Sequence, residues 1–265
     1  MGWKDYFIYS FDYLNLAAGT GSALAAASIF TDNIVRLHPF SDFEVLKCCY
    51  TNTDPRVYVK IVDGSTGRYF TQTPGVDLRT FAGSIVAIGG GSNALIFKNF
   101  SSPMMWAGGT PINVQAADFS GSANAVRLSF HGIKYRAGNP PWVINQRNYI
   151  RDEYFAYPYE VSLGANATIN ATIAMDVDAD WFVERILCQR TAAATVQLNS
   201  GQVGDDWQDK AVHIDNFTGN VAGYNILPIP KYIIANSVLN MVLADLSGST
   251  NVIKFMFEGR KRYFK

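Results

Sequence analysis

Aspartate recurs at every second position as Asp176, Asp178 and Asp180. On an extended strand that spacing sets all three carboxylates on one face, a donor set suited to a hard cation such as calcium. An EF-hand loop also needs glycine at its sixth position and glutamate at its twelfth, where this chain has Trp181 and Leu187. The plainer reading is an exposed acidic turn leading into a strand, and no cofactor is expected. Other reactive residue types lack company. Gly89-Gly-Gly-Ser92 has the composition of a phosphate cradle, but no Lys-Ser/Thr follows it. His38, His131 and His213 are scattered, and there is no Gly-x-Ser-x-Gly elbow, Cys-x-x-Cys pair or His-Glu-x-x-His pattern. Asp205, Asp206 and Asp209 surround Trp207 without singling out the two positioned carboxylates of a glycosidase. The expected function is not enzymatic.

Aromatic residues form the second concentration of chemistry. Tyr6, Phe7, Tyr9 and Phe11 sit in one stretch, and Tyr154, Phe155, Tyr157 and Tyr159 in another. A strand sends alternate side chains to opposite faces, so half of these leave the core. Outward tyrosine suits a protein interface or a carbohydrate platform, which makes Tyr6, Tyr9, Tyr154 and Tyr157 interface candidates. Packing within the core or between sheets is the competing reading.

What positions these residues is an internal repeat. Asp118-Phe-Ser-Gly-Ser-Ala-Asn-Ala-Val-Arg-Leu-Ser-Phe-His-Gly-Ile-Lys134 recurs without a gap as Asp245-Leu-Ser-Gly-Ser-Thr-Asn-Val-Ile-Lys-Phe-Met-Phe-Glu-Gly-Arg-Lys261, at an offset of 127. Asp, Ser, Gly, Ser, Asn, Phe, Gly and Lys coincide, and most other pairs are conservative. The aromatic stretches match too, Asp5-Tyr-Phe-Ile-Tyr-Ser-Phe-Asp12 against Glu153-Tyr-Phe-Ala-Tyr-Pro-Tyr-Glu160, at an offset of 148. The first copy therefore carries about twenty-one extra residues, some of them around the glycine run. His131 stands where the other copy has Glu258, an exchange that favours a structural or surface histidine.

Between these landmarks the pattern is that of strands. Ala167, Ile169, Ala171, Ile173 and Met175 alternate with more polar residues, and the Ala-rich counterpart within residues 17–28 takes the same reading by the repeat. An Asp-aromatic step opens a further strand in each copy, at Asp42-Phe43 and Asp180-Trp181. Turn residues punctuate the chain, and no convincing amphipathic helix is visible. The glycine and asparagine of the Ser-Gly-Ser-x-Asn turn suit positive φ, and Gly132 and Gly259 suit a bulge or a close backbone approach. The expected fold is all-β, two tandem homologous β-sandwich domains of jelly-roll type, at residues 1–135 and 153–265, with a proline-containing linker at 136–152.

Composition excludes several classes. Net charge is zero with no basic run, so no nucleic acid is expected as a partner. No stretch nears the ~20 apolar residues of a spanning helix, so no membrane insertion is expected either. The N-terminus lacks the basic and apolar regions of a signal peptide. Cys48, Cys49 and Cys188 read as buried free thiols rather than a disulfide framework.

The opening aromatic strands, Asp178-Ala-Asp-Trp-Phe-Val183, Leu227-Pro-Ile-Pro230 and the closing Val252-Ile-Lys-Phe-Met-Phe-Glu-Gly-Arg-Lys-Arg-Tyr263 resemble virion structural proteins of tailed bacteriophages. The tandem layout is also similar to double jelly-roll major capsid proteins of tailless, membrane-containing phages. The resemblance implies a virion location and a bacteriophage structural protein (capsid, minor capsid, decoration, or collar and tail accessory) that acts by assembly. Its partners would be copies of itself and other virion proteins. Arg260, Lys261, Arg262 and Tyr263, read as a charged end running free to the C-terminus, complete the interface candidates. Deleting residues 260–265 would then impair assembly more than folding. A carbohydrate- or receptor-binding module using Trp207, Tyr224 or the acidic turn at 176–180 is the alternative.

Overall fold

The computed structural model describes residues 2–17, 30–53, 56–71, 75–83, 85–88, 92–95, 97–137, 148–201, 205–218 and 225–265. The first half contains β1 (Trp3–Leu16), β2 (Thr31–Arg36), β3 (Phe43–Asn52), β4 (Val57–Asp63), β5 (Val76–Asp77), a one-turn helix α1 (Leu78–Phe81), β6 (Ile85–Ile88), β7 (Ser92–Leu95), β8 (Lys98–Trp106), β9 (Pro111–Asp118) and β10 (Asn124–Arg136). The second contains β11 (Tyr149–Leu163), β12 (Thr168–Ala174), β13 (Ala179–Arg190), β14 (Ala194–Ser200), β15 (Asp205–Asp206), β16 (Val212–His213), a one-turn helix α2 (Ile214–Phe217), β17 (Asn225–Ile233), β18 (Val238–Asp245) and β19 (Asn251–Phe264).

Strand order identifies the architecture. One sheet of the first half runs β1-β10-β3-β8 and the other β2-β9-β4-β5. The second half repeats both, as β11-β19-β13-β17 and β12-β18-β14-β15, with β16 also pairing β14. With the β6–β7 hairpin set aside in the first half, and β15 and β16, which both pair β14, counted as one strand in the second, each half has the first, eighth, third and sixth strands in one sheet and the second, seventh, fourth and fifth in the other. That is the two-Greek-key weave of a jelly roll. The chain is all-β, two jelly rolls in tandem. Register matches as well: Asp5 faces Lys134 as Glu153 faces Lys261. The β6–β7 hairpin falls where the sequence places extra residues, although its glycine run at 89–91 lies outside the described residues. So does the Ala-rich segment read as a strand, from residue 18 to 29. Tyr149–Leu163 forms β11, so strand structure begins inside the stretch read as linker, of which residues 138–147 also lie outside the described residues.

The repeated residues are those the weave needs. Gly108 and Ala235 donate backbone N–H groups to Asp42 and Asp180, each at 2.8 Å, fixing the turn before the seventh strand. Phe43 and Trp181 beside those aspartates are buried, as the Asp-aromatic step suggests. In the Ser-Gly-Ser turns only the glycines use positive φ, 79° at Gly121 and 68° at Gly248. The asparagines do something the sequence reading did not assign. Asn124 and Asn251 are buried and donate to Asp118 (2.9 Å) and Asp245 (3.1 Å). Their carbonyl oxygens accept from Thr53 (2.6 Å) and from the Ala192 N–H (3.0 Å), so each staples its turn to the neighbouring loop. Burial opposes ionisation of Asp245, but hydrogen bonds from Ser247, Asn166, Asn251 and Gly248 outweigh it and lower its carboxyl to about 2.

Gly132 and Gly259 sit at equivalent register shifts, opposite Val45 and Val183. A Cβ would lie 2.0 Å from the Glu44 carbonyl oxygen at Gly132 and 1.9 Å from that of Phe182 at Gly259. Backbone on both sides leaves nowhere to move. Gly259→Ala should therefore cost at least about 3 kcal/mol in urea unfolding, whereas Gly121→Ala, with open space around it, should cost only about 1 kcal/mol for its positive φ. Equal effects from the two variants would contradict this account of the bulge.

Candidate functional site

Alternation along β1 sends Phe7, Tyr9, Phe11 and Tyr13 into the core of the first roll. The other face is not solvent: Tyr6 and Ile8 belong to the hydrophobic cluster of the second roll. A strand buried on both faces has no use for polar alternation, and Tyr6-Phe-Ile-Tyr9 has none. The two rolls thus meet along a seam, with β1, β3 and β10 on one side and the 206–210 segment, α2 and β17 on the other.

Three kinds of bond close the seam. β1 is an edge strand, and Ile8 uses its outward backbone groups in a parallel bridge: its N–H donates to the Trp207 carbonyl (3.1 Å) and its carbonyl accepts from the Asp209 N–H (3.1 Å). Ser10 N–H donates to the Asp209 carboxylate at 3.0 Å. Charge comes next. Lys231, with no exposed surface, places Nζ 2.8 and 2.7 Å from the two carboxylate oxygens of Asp5, which also accepts from Arg136 at 3.0 Å. Lys47 Nζ donates across the seam to Asn225 Oδ1 (2.7 Å) and to the Ile226 carbonyl (3.0 Å).

Third is a directional chain of neutral groups. Asn225 Nδ2 donates to the Tyr6 hydroxyl (3.3 Å), which bonds His131 Nδ1 (2.6 Å), while His131 Nε2 bonds the Asn216 carbonyl (2.7 Å). A carbonyl only accepts, so Nε2 carries the imidazole proton and Nδ1 accepts from Tyr6. Cys49 Sγ donates to the same carbonyl at 3.3 Å, and Asn216 Nδ2 donates to the Arg127 carbonyl at 2.8 Å. Burial, then the Lys47 charge, holds the His131 imidazole well below its usual range. Burial pushes the Tyr6 phenol and the Cys49 thiol far up. Nearby, burial lowers His213 to about 4 and Lys47 to about 8, and raises Asp209 to about 7. This constellation of tyrosine, histidine and cysteine is sealed from solvent and hydrogen-bonded across the seam, so it helps to join the two rolls.

The residues singled out in the sequence do not gather. Asp180 is buried and accepts from Ala235 N–H and the Tyr149 hydroxyl (2.8 Å), whereas Asp176 pairs with Lys261. Asp176 and Asp178 precede β13 rather than sharing a strand face with Asp180, and no group of three His, Cys, Asp or Glu among the described residues could hold a metal. Tyr6 lies in the seam. Tyr9 and Tyr157 pack edge-on against Phe43 and Trp181 at equivalent places in the two cores. Tyr154 is 70% exposed on the outer face of β11.

The C-terminal residues do not run free. Arg260, Lys261, Arg262 and Tyr263 belong to β19, which lies between β11 and β13. Lys261 is buried over the Phe155 ring at 3.2 Å, as Lys134 lies over Phe7 at 4.2 Å. Arg262 pairs with Asp152 at 2.8 Å, Tyr263 stacks under Arg151, and Arg260 stays partly exposed beside Glu184. Deleting 260–265 would remove the end of a central strand, so that truncation cannot separate assembly from folding. For the carbohydrate alternative, Trp207 has no exposed surface and Tyr224 lies outside the described residues. All three cysteines are buried and free, and among the described residues no helix is long and apolar enough to cross a membrane.

Sequence reasoning missed Lys47, Asn216, Asn225 and Lys231, and took His131 for a structural or surface histidine without placing it in a seam. The available signal was a contrast between copies, since Ile8, Ser10, Ser129 and His131 give way to Ala156, Pro158, Met256 and Glu258.

No protein-family model and no curated protein matches the chain. Among solved structures it is similar to one described as "The Triple Jelly Roll Fold and Turret Assembly in an Archaeal Virus", with 12% identity over 88% of this chain and a TM-score of 0.29. A second, "Life in the extremes: atomic structure of Sulfolobus Turreted Icosahedral Virus", has 11% identity over 88% of this chain and a TM-score of 0.29. The chain spans 56% of the length of each of these two. A third, "Crystal Structure of the STIV MCP", has 10% identity, covers 95% of this chain and 96% of that one, and has a TM-score of 0.23. Scores this low leave the jelly-roll assignment resting on strand order and register.

Two measurements check the seam. Asp5→Leu alone takes the carboxylate away from the buried Lys231 ammonium and should cost about 3–5 kcal/mol, Lys231→Met alone should cost less because Arg136 still pairs with Asp5, and the Asp5→Leu/Lys231→Met double variant should recover much of the Asp5→Leu loss. Additive losses in the double-mutant cycle would refute the coupling. Between pH 6.5 and 4.5 the unfolded chain takes up protons that buried His131 and His213 refuse, so stability falls on acidification. Asp209 opposes this, because the fold holds its proton more tightly than the unfolded chain does up to about 7. Asp209→Asn should therefore steepen the fall of Tm over this window, and a shallower profile in that variant would contradict the assignment.

Proposed function

We propose that this chain is a structural subunit of a virus particle, a double jelly roll that works by assembly rather than by catalysis. The observation carrying this reading is the seam. Two complete jelly rolls are joined by backbone, ionic and neutral hydrogen bonds into one block, a construction suited to bearing load and presenting fixed surfaces. The sealed state of the Tyr6–His131–Cys49 cluster supports a non-enzymatic role. A shell subunit of the double jelly-roll kind suits the geometry at least as well as a collar or tail accessory of a tailed phage. Homo-oligomeric partners and a virion location follow from the same reading.

The test is self-association. Sedimentation of the purified full chain at rising concentration and ionic strength should reveal a discrete symmetric oligomer or larger shells. A chain that stays monomeric at high micromolar concentration under all those conditions would refute the proposal.

A further inference from the structure

A sheet edge leaves backbone groups open to another chain, and natural edges are guarded by charge, proline or brevity. The edge strands of the four jelly-roll sheets follow that rule with one exception. β1 carries Asp5 and Asp12, β2 carries Asp32 and Arg36, and β8, β11 and β17 each contain proline. β5, β15 and β16 are two residues long. β12, Thr168-Ile-Asn-Ala-Thr-Ile-Ala174, has seven residues with neither charge nor proline.

Backbone phase shows what β12 offers. The Asp245 N–H donates to the Ala167 carbonyl at 2.9 Å, and the Met175 N–H donates to the Ser237 carbonyl at 2.9 Å. With the register between them unbroken, Ile169, Ala171 and Ile173 turn their backbone groups toward β18. The N–H and C=O groups of Thr168, Asn170, Thr172 and Ala174 then face the open edge. Among the described residues, none of these outward groups has a backbone partner.

The mouth of the sandwich beside this edge is open too. In the first roll Asn33 of β2 reaches across it, its Nδ2 donating to the Asp12 carbonyl of β1 at 2.9 Å. Ala171 stands at the Asn33 position, because Asn33 faces Val114 and Ala171 faces the repeat counterpart of Val114, Met241. Alanine cannot make that tie. By the same register, Asn170 and Ala174 replace Asp32 and Arg36, so the charges guarding the first edge are missing from the second. β11 and β12, in contact, border the mouth. On their inner faces Tyr159, Val161 and Ile169 pack against the core of the second roll and are only partly buried.

A strand laid along β12 meets four outward pairs of backbone groups, and its inward side chains cover Ile169 and Val161. Such a strand needs uncommitted apolar side chains. β12 of a second folded copy has few to give, because its Ala171 and Ile173 are each 9% exposed, packed into their own core. A segment outside any sheet has them all.

We propose that the edge of β12 takes an extended segment of a different polypeptide as an added antiparallel strand. Its side chains facing the mouth are apolar, and those beside Thr168, Asn170 and Thr172 are small, polar and uncharged. Main-chain hydrogen bonds supply the affinity, and with no charge on β12 none has to be desolvated. This goes beyond the assembly reading and does not depend on it, since the site is complete in one folded chain.

The probe is a blocked peptide of residues 167–174. Laid antiparallel, with its Asn170 against Thr172 of the chain, it is its own complement, and unfolded it has both isoleucines to offer. Hydrogen exchange of the dilute full chain reads the outcome. At millimolar peptide the Thr168, Asn170, Thr172 and Ala174 amides should slow at least about tenfold, while the Ile169, Ala171 and Ile173 amides, already bonded to β18, should change little. Thr172→Pro removes one outward donor and no bond to β18, so that variant should keep its fold and lose the effect. Should it fail to fold, a peptide N-methylated at Asn170 and Thr172, offered to the wild-type chain, should also give no slowing. No slowing by the plain peptide overturns the proposal. So does slowing at all seven amides alike, or equal slowing by the N-methylated peptide. Four amides already slow without peptide also overturn it: the edge is then held by this chain itself if dilution leaves them slow, and by a second copy if dilution frees them. Sedimentation is a separate readout, so no binding here leaves the assembly reading where it stands.

Discussion

Lys231 has no exposed surface, and its ammonium is neutralised by a carboxylate from the other half of the chain. Stripping water from such a charge costs several kcal/mol, recovered only while Asp5 stays in place. The same holds for Lys47, whose ammonium reaches across the seam to Asn225 and Ile226. Separation of the rolls would leave these ions and the Tyr6–His131–Asn216 chain to be resolvated, and would bare Tyr6 and Ile8. The rolls are therefore committed to each other, and the second roll completes the first rather than merely following it.

That constraint explains why the copies agree where they do and differ where they do. Agreement falls on what each weave needs by itself: the Asp42 and Asp180 clamps, the Asp–Asn staples of the Ser-Gly-Ser turns, the glycines at the bulges, and the lysines lying over Phe7 and Phe155. Difference falls on the outer sheet face, where one copy meets a permanent neighbour and the other does not. Ile8 against Ala156 and His131 against Glu258 are consequences of burial against exposure, in the same fold at the same register.

Much of the fold was legible in the sequence, because period-two alternation and turn residues are local. Ala171 and Ile173 point inward as their spacing indicates, and the glycines opposite Glu44 and Phe182 sit at close approaches. The candidate site was less so. Asp176, Asp178 and Asp180 share a spacing but not a surface, since the strand begins only at Ala179 and two of the three carboxylates already have partners. The basic C-terminus reads as a tail by composition yet is a central strand, a fact set by pairing with residues more than a hundred positions away. The seam joins groups at still greater separation, such as Tyr6 with Asn225, and no local pattern encodes that. The unbroken run Tyr6-Phe-Ile-Tyr9 of β1 fits burial on both faces, but its counterpart Tyr154-Phe-Ala-Tyr157 in β11 is equally unbroken and exposed at Tyr154, so the run by itself does not locate the seam.

Hydrogen exchange at the edge of β1 tests the commitment of the two rolls most directly. The Ile8 and Ser10 amides are bonded only across the seam on that edge, to Trp207 and Asp209. If the rolls form one cooperative unit, both amides exchange only through global unfolding, with protection matching the central strands β10 and β19. Exchange of Ile8 and Ser10 at markedly lower free energy, with β10 and β19 still protected, would show rolls that part while folded and would contradict the account.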